Sequence, residues 1–383
     1  MKVLLVHTIG DVEPRPSPYR SQAFLGTLAA GVDLTVVDVI NGATAAETHG
    51  SGLPPLPPGI AHRVIAASFS PWRSLVGDAG VAALCRERAP DLIQTLGIAP
   101  HLAPVWPALA ASRAPIVHAV AAGGPVRDGH DDLLDPCNRI RPALRSLPGM
   151  MARHASRHVS ALIGSNRRDI GRHRELGFFP ASRFSVVAGI PVQPDGSRTR
   201  AVPSPPWPRF GYFNPDHTPA SWSFVRDALA MIGSSSYALA VAPDPGSEAQ
   251  AGDAVVSLPD DDPAALVDTI DVLIVPYADD RFAEVITRAL VAGRMVIASD
   301  DGLNAELLDY GRRGILFENG RGSDLAGKML DVILSWSSPA MSFDVAEDVM
   351  AMTSPRRCAD VFIAAYNRMM AATGAAARAA AGQ

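Results

Sequence analysis

The segment from Asp280 to Arg288 carries acidic and basic side chains that could contact a charged ligand. A guanidinium such as that of Arg288 forms paired hydrogen bonds with phosphate oxygens. A helix predicted to begin near Ala283 would add N-terminal amide groups and the positive end of its dipole, which also favour phosphate. The alternative is structural, because Glu284 and Arg288 stand four residues apart in the order that favours an ion pair on a helix surface.

Three consecutive carboxylates, Asp260, Asp261 and Asp262, suggest a metal site at first sight. They directly precede Pro263 and a predicted helix, where carboxylates cap the first turn and interact favourably with the helix dipole. We therefore predict a helix cap and no metal. The sequence contains no Gly-x-Gly-x-x-Gly, Walker loop, nucleophile elbow or paired-histidine motif, which argues against a nicotinamide dehydrogenase. No cofactor is predicted.

The elements around these residues alternate between short β-branched runs and longer helical patterns, which is typical of parallel α/β domains. A chain of 383 residues exceeds what one hydrophobic core usually serves. We predict two Rossmann-like domains over 1–195 and 209–350, joined by a Pro-rich linker over 196–208. A helix over 351–372 and a disordered tail over 373–383 are predicted to follow.

Doubly wound domains of this kind bind ligands at the carboxyl ends of their strands. The cleft between the two domains is therefore the predicted site. Gly10, after the first strand, and Gly123-Gly124 could let a ligand approach the backbone, although ordinary turns explain these glycines as well.

Residues 271–319 carry a more specific pattern than the rest of the chain. A strand ends in a proline, a Phe-Ala pair opens a helix, a small-residue run ends in glycine, and a second strand leads to a loop with glycine and glutamate. The residues in question are Val275-Pro276, Phe282-Ala283, Ala289–Gly293, Val296–Ser299, Gly302 and Glu306. This pattern resembles the donor-binding region of the retaining GT-B glycosyltransferases of the group 1 type. Weaker similarity extends over most of the chain.

The resemblance implies an α/β protein of the GT-B fold, with two facing Rossmann-like domains, parallel sheets and an interdomain cleft. It implies transfer of a hexosyl group from a nucleotide sugar, such as UDP- or GDP-hexose, to a glycan, lipid-linked or small-molecule acceptor, with retention and without a metal. Asp280 and Glu284 would contact the sugar or ribose as catalytic residues. The implied donor-binding residues are Gly10, Gly211, Arg281, Phe282, Ala283, Arg288 and Gly302.

The sequence departs from the family pattern at three places. Arg288 stands where the family has its second glutamate, and a donor-only cation cannot accept hydrogen bonds from ribose hydroxyls. The family's Arg/Lys pair for the leaving diphosphate is missing, since the lysines are Lys2 and Lys328 and the segment 211–218 has no arginine. Ala121 replaces a family histidine, and His118 lies three residues too early; a strand histidine is more often packed and hydrogen-bonded.

These departures favour a second hypothesis, a catalytically degenerate GT-B protein that acts as a ligand-binding or interaction module. A GT-B sugar epimerase is a third, more distant alternative. Whether Arg281, Arg288 and Glu284 face the interdomain cleft or the solvent would discriminate between the first two.

Between Arg139 and Arg174 the chain has nine arginines and one acid, Asp169, although the formal net charge of the protein is -5. This basic region could contact an anionic membrane surface or a lipid-linked phosphate; an unevenly charged solvated surface explains it equally well.

The negative net charge of the whole chain argues against nucleic acid as a partner. Three widely spaced cysteines and the lack of a signal or membrane-spanning segment lead us to expect a cytoplasmic protein, soluble or peripheral to the inner face of the membrane.

Overall fold

The computed structural model describes most of the chain and divides it into two compact units. Unit 1 contains the described residues up to Pro191 together with Ser354–Ala381, and unit 2 contains those from Val192 to Thr353. The described residues are 1–9, 18–41, 55–67, 79–96, 106–120, 147–175, 177–192, 207–213, 219–233, 237–242, 255–257, 263–277, 280–336 and 346–381.

Unit 1 is built on a seven-stranded parallel sheet. Its strands are β1 (Lys2–Ile9), β2 (Asp33–Asn41), β3 (Ala61–Ala67), β4 (Leu92–Leu96), β5 (Ile116–Val120), β6 (Val159–Gly164) and β7 (Phe184–Val187). Their order in the sheet is β3-β2-β1-β4-β5-β6-β7, so the order reverses between β1 and β4. The helices are α1 (Gln22–Gly31), α2 (Ala79–Arg88), α3 (Trp106–Ala111), α4 (Leu147–Ser156) and α5 (Arg167–Glu175), with a 3-10 turn at Pro18–Arg20.

Unit 2 repeats this architecture on a six-stranded parallel sheet of order β10-β9-β8-β11-β12-β13. Its strands are β8 (Arg209–Phe213), β9 (Ala238–Ala242), β10 (Val255–Ser257), β11 (Val272–Val275), β12 (Met295–Ser299) and β13 (Ile315–Phe317). Its helices are α6 (Pro219–Ile232), α7 (Pro263–Thr269), α8 (Asp280–Val291), α9 (Gly302–Leu307), α10 (Gly322–Ser335) and α11 (Ala346–Thr353). The predicted α/β class with parallel sheets is confirmed.

Both faces of the unit 1 sheet are buried, as expected for a parallel sheet covered by helices. Along β1, Leu4 and Val6 pack into one hydrophobic cluster while Val3 and Leu5 pack into the other. Strand β3 was not anticipated from the sequence. It is an edge strand in which Val64 is 47% exposed, so it lacks the continuous apolar run that identifies a buried strand.

The last helix, α12 (Pro355–Ala381), packs against unit 1 rather than unit 2. Phe362 contacts the rings of Tyr19 and Phe24 at centroid distances of 5.1 and 5.0 Å, and this aromatic cluster joins α12 to α1 and the adjoining 3-10 turn. The helix extends to Ala381, beyond the end predicted at residue 372, so the expected disordered tail is helical over most of its length. Alanine, the most frequent residue of this segment, has the highest intrinsic helix propensity.

Gly211, in the middle of β8, owes its identity to packing. A Cβ atom at this position would lie 2.5 Å from Cγ2 of Ile270, which is fully buried. A methyl group therefore does not fit unless the core moves.

We expect Gly211→Ala to lower the free energy of unfolding by about 1–3 kcal/mol, the usual cost of overpacking a core. Urea unfolding would measure the change, and the additional substitution Ile270→Val should restore part of it by removing a methyl group next to the new one. Gly327→Ala is the matched control, because a Cβ there meets nothing within 4 Å. This helical position should gain about 0.5–1 kcal/mol. Equal changes in the free energy of unfolding for Gly211→Ala and Gly327→Ala would contradict the packing argument.

Candidate donor site

The segment predicted to bind the donor folds into the strand ends and helices at one edge of the unit 2 sheet. β11, β12 and β13 are parallel neighbours, so their carboxyl ends meet at this edge. Helix α8 begins after the end of β11, and α9 begins after the end of β12. In doubly wound sheets this is the edge at which ligands bind.

Phe282 and Ala283, both predicted to contact the donor, are fully buried at the start of α8. The ring of Phe282 meets Tyr277 edge-on at 5.0 Å and Phe213 at 6.4 Å. These aromatic contacts anchor the first turn of α8 to the ends of β11 and β8. Phe282 and Ala283 therefore position the helix, and their side chains belong to the core.

Glu284 and Arg288 form the ion pair that the sequence offers as the structural alternative. Nη2 and Nε of Arg288 donate to Oε1 of Glu284 over 3.0 and 3.1 Å. The Glu284 side chain is 50% exposed and that of Arg288 is 16% exposed. An i,i+4 pair at this exposure contributes about 0.3–0.5 kcal/mol, which is too little to prevent a ligand from recruiting the guanidinium.

Several residues singled out in the sequence fall outside the described part. Asp280 and Arg281 form the first turn of α8, but their side chains are not among those described. Gly10, the Gly123-Gly124 pair and the Asp260–Asp262 run all lie outside the described residues. Among the described residues, no group of three or more His, Cys, Asp or Glu side chains is arranged to hold a metal ion.

Gly302 is the first residue of α9 and is buried. Its φ of +47° lies in the left-handed region, which glycine adopts without the steric cost that a Cβ atom brings. This conformation turns the chain from β12 into the short helix α9. Gly211, by contrast, is explained by the packing of Ile270 described above.

Asn304, in α9, is a residue of this edge that sequence reasoning missed. Its amide nitrogen donates to the carbonyl of Tyr277 at 3.1 Å and lies 3.0 Å from the hydroxyl of Ser299. The side chain therefore ties the chain after β11 to the last residue of β12. Its carbonyl oxygen is buried and has no hydrogen-bond partner in the described structure. The only sequence signal for Asn304 is its position two residues after Gly302, in a segment that resembles the family pattern.

A buried polar cluster lies near the carboxyl edge of the unit 1 sheet, between β1, β2 and the 3-10 turn. Asp38 accepts hydrogen bonds from Arg20 at 2.8 and 3.2 Å, and lies 3.1 Å from Nδ1 of His7 and 2.7 Å from Nε2 of His62. Burial by itself raises the pKa of Asp38, but the hydrogen bonds from His7 and Arg20 outweigh it and hold this pKa well below its usual range. The carboxylate is therefore ionised.

His118 is a packed core residue, as the sequence predicts. It is 1% exposed, its Nδ1 lies 2.8 Å from the hydroxyl of Thr95, and its ring stacks on Phe179 at 5.0 Å. Burial, together with the nearby His173, lowers the pKa of His118 to about 3. The imidazole is therefore neutral, and its surroundings are those of a structural side chain.

Comparisons with known proteins identify the fold and match a family model to part of unit 2. The family model described as Glycosyl transferases group 1 matches residues 229–335, which include α8, β12, α9 and β13. No curated protein matches the sequence.

Solved structures match over nearly the whole chain. Sucrose-phosphate synthase from Thermosynechococcus elongatus superposes with a TM-score of 0.66 at 15% identity, covering 96% of this chain and 99% of that one. A glycosyltransferase from Rickettsia africae gives 0.64 at 13% identity, covering 96% and 99%. Anabaena HepE in complex with UDP gives 0.60 at 16% identity, covering 98% and 100%. The chain therefore has the GT-B glycosyltransferase fold, with a Glycosyl transferases group 1 match over residues 229–335.

Proposed function

We propose that this protein is a glycosyltransferase that moves a hexosyl group from a nucleotide diphosphate sugar to a glycan, lipid-linked or small-molecule acceptor. The observation that carries the proposal is the carboxyl edge of the unit 2 sheet, which falls inside the group 1 match. Structures of similar fold include Anabaena HepE with UDP and with UDP-glucose, which favours a UDP-hexose as the donor.

In the proposed reaction the bond between the anomeric carbon and the diphosphate oxygen breaks. The oxygen of an acceptor hydroxyl takes its place with retention and without a metal, and the hydroxyl proton passes to the departing diphosphate. Phe282 and Asn304 hold the chain around the end of β11, so that the amide groups of the α8 N-terminus face the same position in every turnover. Arg281 or Arg288 would neutralise the departing diphosphate in place of the missing Arg/Lys pair. Asp280 and Glu284 would contact the sugar or ribose.

A second candidate function is ligand binding without turnover. The specific observation in its favour is the Glu284–Arg288 ion pair, which engages two of the four charged side chains that the first proposal needs. If Glu284 and Arg288 only stabilise α8 through their ion pair, the electrostatic stabilisation of a leaving diphosphate has to come from other residues.

The first test is thermal stabilisation of the purified protein by UDP, GDP and ADP and by their hexose conjugates. A ligand that binds only the native state raises the unfolding midpoint, and at a hundred times its Kd it adds about 2.7 kcal/mol of stability. We expect one nucleotide series, UDP first, to raise the midpoint clearly. No shift with any compound, for a protein whose circular dichroism and cooperative unfolding show that it is folded, would contradict a working donor site.

Two variants then separate diphosphate binding from the ion pair. Arg288→Ala removes the guanidinium, whereas Glu284→Gln weakens the same ion pair and leaves the guanidinium in place. If Arg288 contacts the diphosphate, stabilisation by UDP falls in Arg288→Ala and persists in Glu284→Gln. Equal stabilisation of both variants by UDP would exclude Arg288 from the donor site.

A further inference from the structure

Five exposed arginines lie together at the amino edge of the unit 1 sheet, on the side opposite the strand ends where ligands bind. Three of them lie one to three residues before neighbouring strands: one before β5, one before β6 and one before β7. A fourth is in the last turn of α5 and a fifth is on α12. We call this set the basic edge; its members are Arg113, Arg157, Arg174, Arg183 and Arg368.

Contacts of Arg174 and Arg368 place both side chains at this edge. Nη2 of Arg174 lies 3.4 Å from the hydroxyl of Ser182, which immediately precedes Arg183. The guanidinium of Arg368 lies over the ring of Phe184, the first residue of β7, at 4.3 Å from its centroid. The chain thus brings residues from four separate segments to one edge.

Within the described part of the chain, none of the five arginines forms an ion pair, although Glu175 follows Arg174 and Asp91 precedes β4 at the same edge. Charges that no described carboxylate pairs with are available to an anionic partner.

The spacing of the charges indicates a surface rather than a single anion. Adjacent strands lie about 4.8 Å apart, so the starts of β5 and β7, which Arg113 and Arg183 precede, are roughly 10 Å apart, wider than one phosphate group. Between Arg174 and Arg183 lies an open pocket of about 500 Å³, bordered by Gly177, Pro180 and Ser182, which can hold a lipid headgroup.

Helix α12 adds an alanine-rich segment beside the basic edge. The helix starts near the carboxyl end of β7, where Sγ of Cys358 donates to the carbonyl of Ala188, and reaches the amino end at Arg368. Met370 is the last described residue of α12 that packs against the core, and the helix continues to Ala381. At 1.5 Å per residue this extension is about 16 Å long, and Arg378 is its one charged residue.

We propose that the basic edge, together with the α12 extension, docks the protein on a membrane surface that contains anionic phospholipids. The contact is interfacial, since no described helix is long and apolar enough to cross a bilayer. Nucleic acid fits this surface less well, because Phe178 and Phe179, the aromatic side chains nearest the pocket, are buried and offer no platform for stacking bases. The proposal goes beyond glycosyl transfer and does not depend on it.

This surface differs from the basic region predicted from the sequence. Arg167 and Arg168 open α5 at the carboxyl edge, opposite Arg157 and Arg174. Arg113, Arg183 and Arg368 lie outside the 139–174 region and join the basic edge only in the folded protein. Arg139, Arg141 and Arg145 lie outside the described residues.

The test is co-sedimentation of the full chain with vesicles of phosphatidylcholine alone and of phosphatidylcholine mixed with phosphatidylglycerol. We expect binding to the anionic vesicles alone and release by salt. The variant carrying Arg113→Gln, Arg157→Gln, Arg174→Gln and Arg183→Gln should bind at least about 100-fold more weakly, because each arginine near an anionic surface contributes about five-fold. The same four positions changed to lysine should retain binding.

A matched control removes four exposed arginines elsewhere, through Arg226→Gln, Arg312→Gln, Arg321→Gln and Arg356→Gln. It has the same net charge as the basic-edge variant and should bind like the wild type. Equal loss in both variants would overturn the proposal, and so would no binding to anionic vesicles. Binding of inorganic phosphate or transfer RNA without vesicle binding would also overturn it. Stabilisation by UDP, measured on every variant, tests the donor site separately.

Discussion

Replacing Asp38 with asparagine is expected to lower the free energy of unfolding by about 3–5 kcal/mol. Asp38 is fully buried and forms an ion pair with Arg20, which is 1% exposed. Removing one partner of a buried ion pair leaves the other charge uncompensated in a region that water does not reach. Urea unfolding at neutral pH, with the slope compared as well as the midpoint, would measure the loss.

The control for Asp38→Asn is Glu87→Gln in the same unit. Glu87 and Arg88 approach to 3.8 Å, but their side chains are 59% and 37% exposed, and such pairs contribute at most about 1 kcal/mol. A loss in Asp38→Asn as small as that in Glu87→Gln would show that the buried cluster adds little to stability. Thermal stabilisation by UDP should also be measured on Asp38→Asn, since the buried cluster is in unit 1 whereas the proposed donor site is in unit 2.

The second large effect is a loss of stability in mild acid caused by His118. Its pKa is about 3 in the folded protein, below the ordinary value of 6.5. Below pH 6.5 the unfolded chain therefore binds a proton that the folded chain does not, so stability is complete above pH 6.5 and decreases as the pH falls towards 3. Between pH 6.5 and about 4.5 the expected loss is about 2–3 kcal/mol, at 1.36 kcal/mol for each pH unit.

His118→Gln isolates this effect, because glutamine can keep a hydrogen bond to Thr95 but does not titrate. The variant should be less stable than the wild type at pH 7, and the difference should shrink by about 2–3 kcal/mol at pH 4.5. The control is His158→Gln, which removes an exposed histidine elsewhere in the same unit. A constant difference between His118→Gln and the wild type at all pH values would refute the assignment. Protonation of Asp38 does not interfere with the comparison of His118→Gln and the wild type. The pKa of this carboxyl is lowered, so its contribution to stability is lost only below about pH 4.

The sequence was sufficient to predict the fold class because the buried strands of a parallel sheet are short apolar runs that need no long-range information. Leu34–Val39 and Val272–Val275 are examples, and both lie within observed strands. β3 was missed because it is an edge strand with exposed residues. The end of α12 was misplaced because the alanine-rich segment was interpreted as a disordered tail, although its helix propensity is high.

The order of strands and helices around the candidate donor site could also be predicted from the sequence. The block from 271 to 319 is local in the chain, so its order of strand, helix and loop indicates which strand ends meet at one edge. Asn304 could not be identified, because its contacts with Tyr277 and Ser299 depend on the distance between two strand ends and on the course of the intervening loop. Nor could the sequence decide between a ligand contact and an ion pair for Arg288; the geometry shows the pair.

The sequence by itself determined the alternation of strands and helices, the two α/β units and the position of the group 1 pattern, because each is encoded by neighbouring residues. Only the tertiary structure decided which distant side chains meet. Asp38 contacts His7, Arg20 and His62 because β2 lies between β1 and β3. The basic edge forms because parallel strands begin on one side of the sheet. Burial likewise sets the pKa of His118, and burial depends on the packing of the whole unit rather than on any segment of the chain.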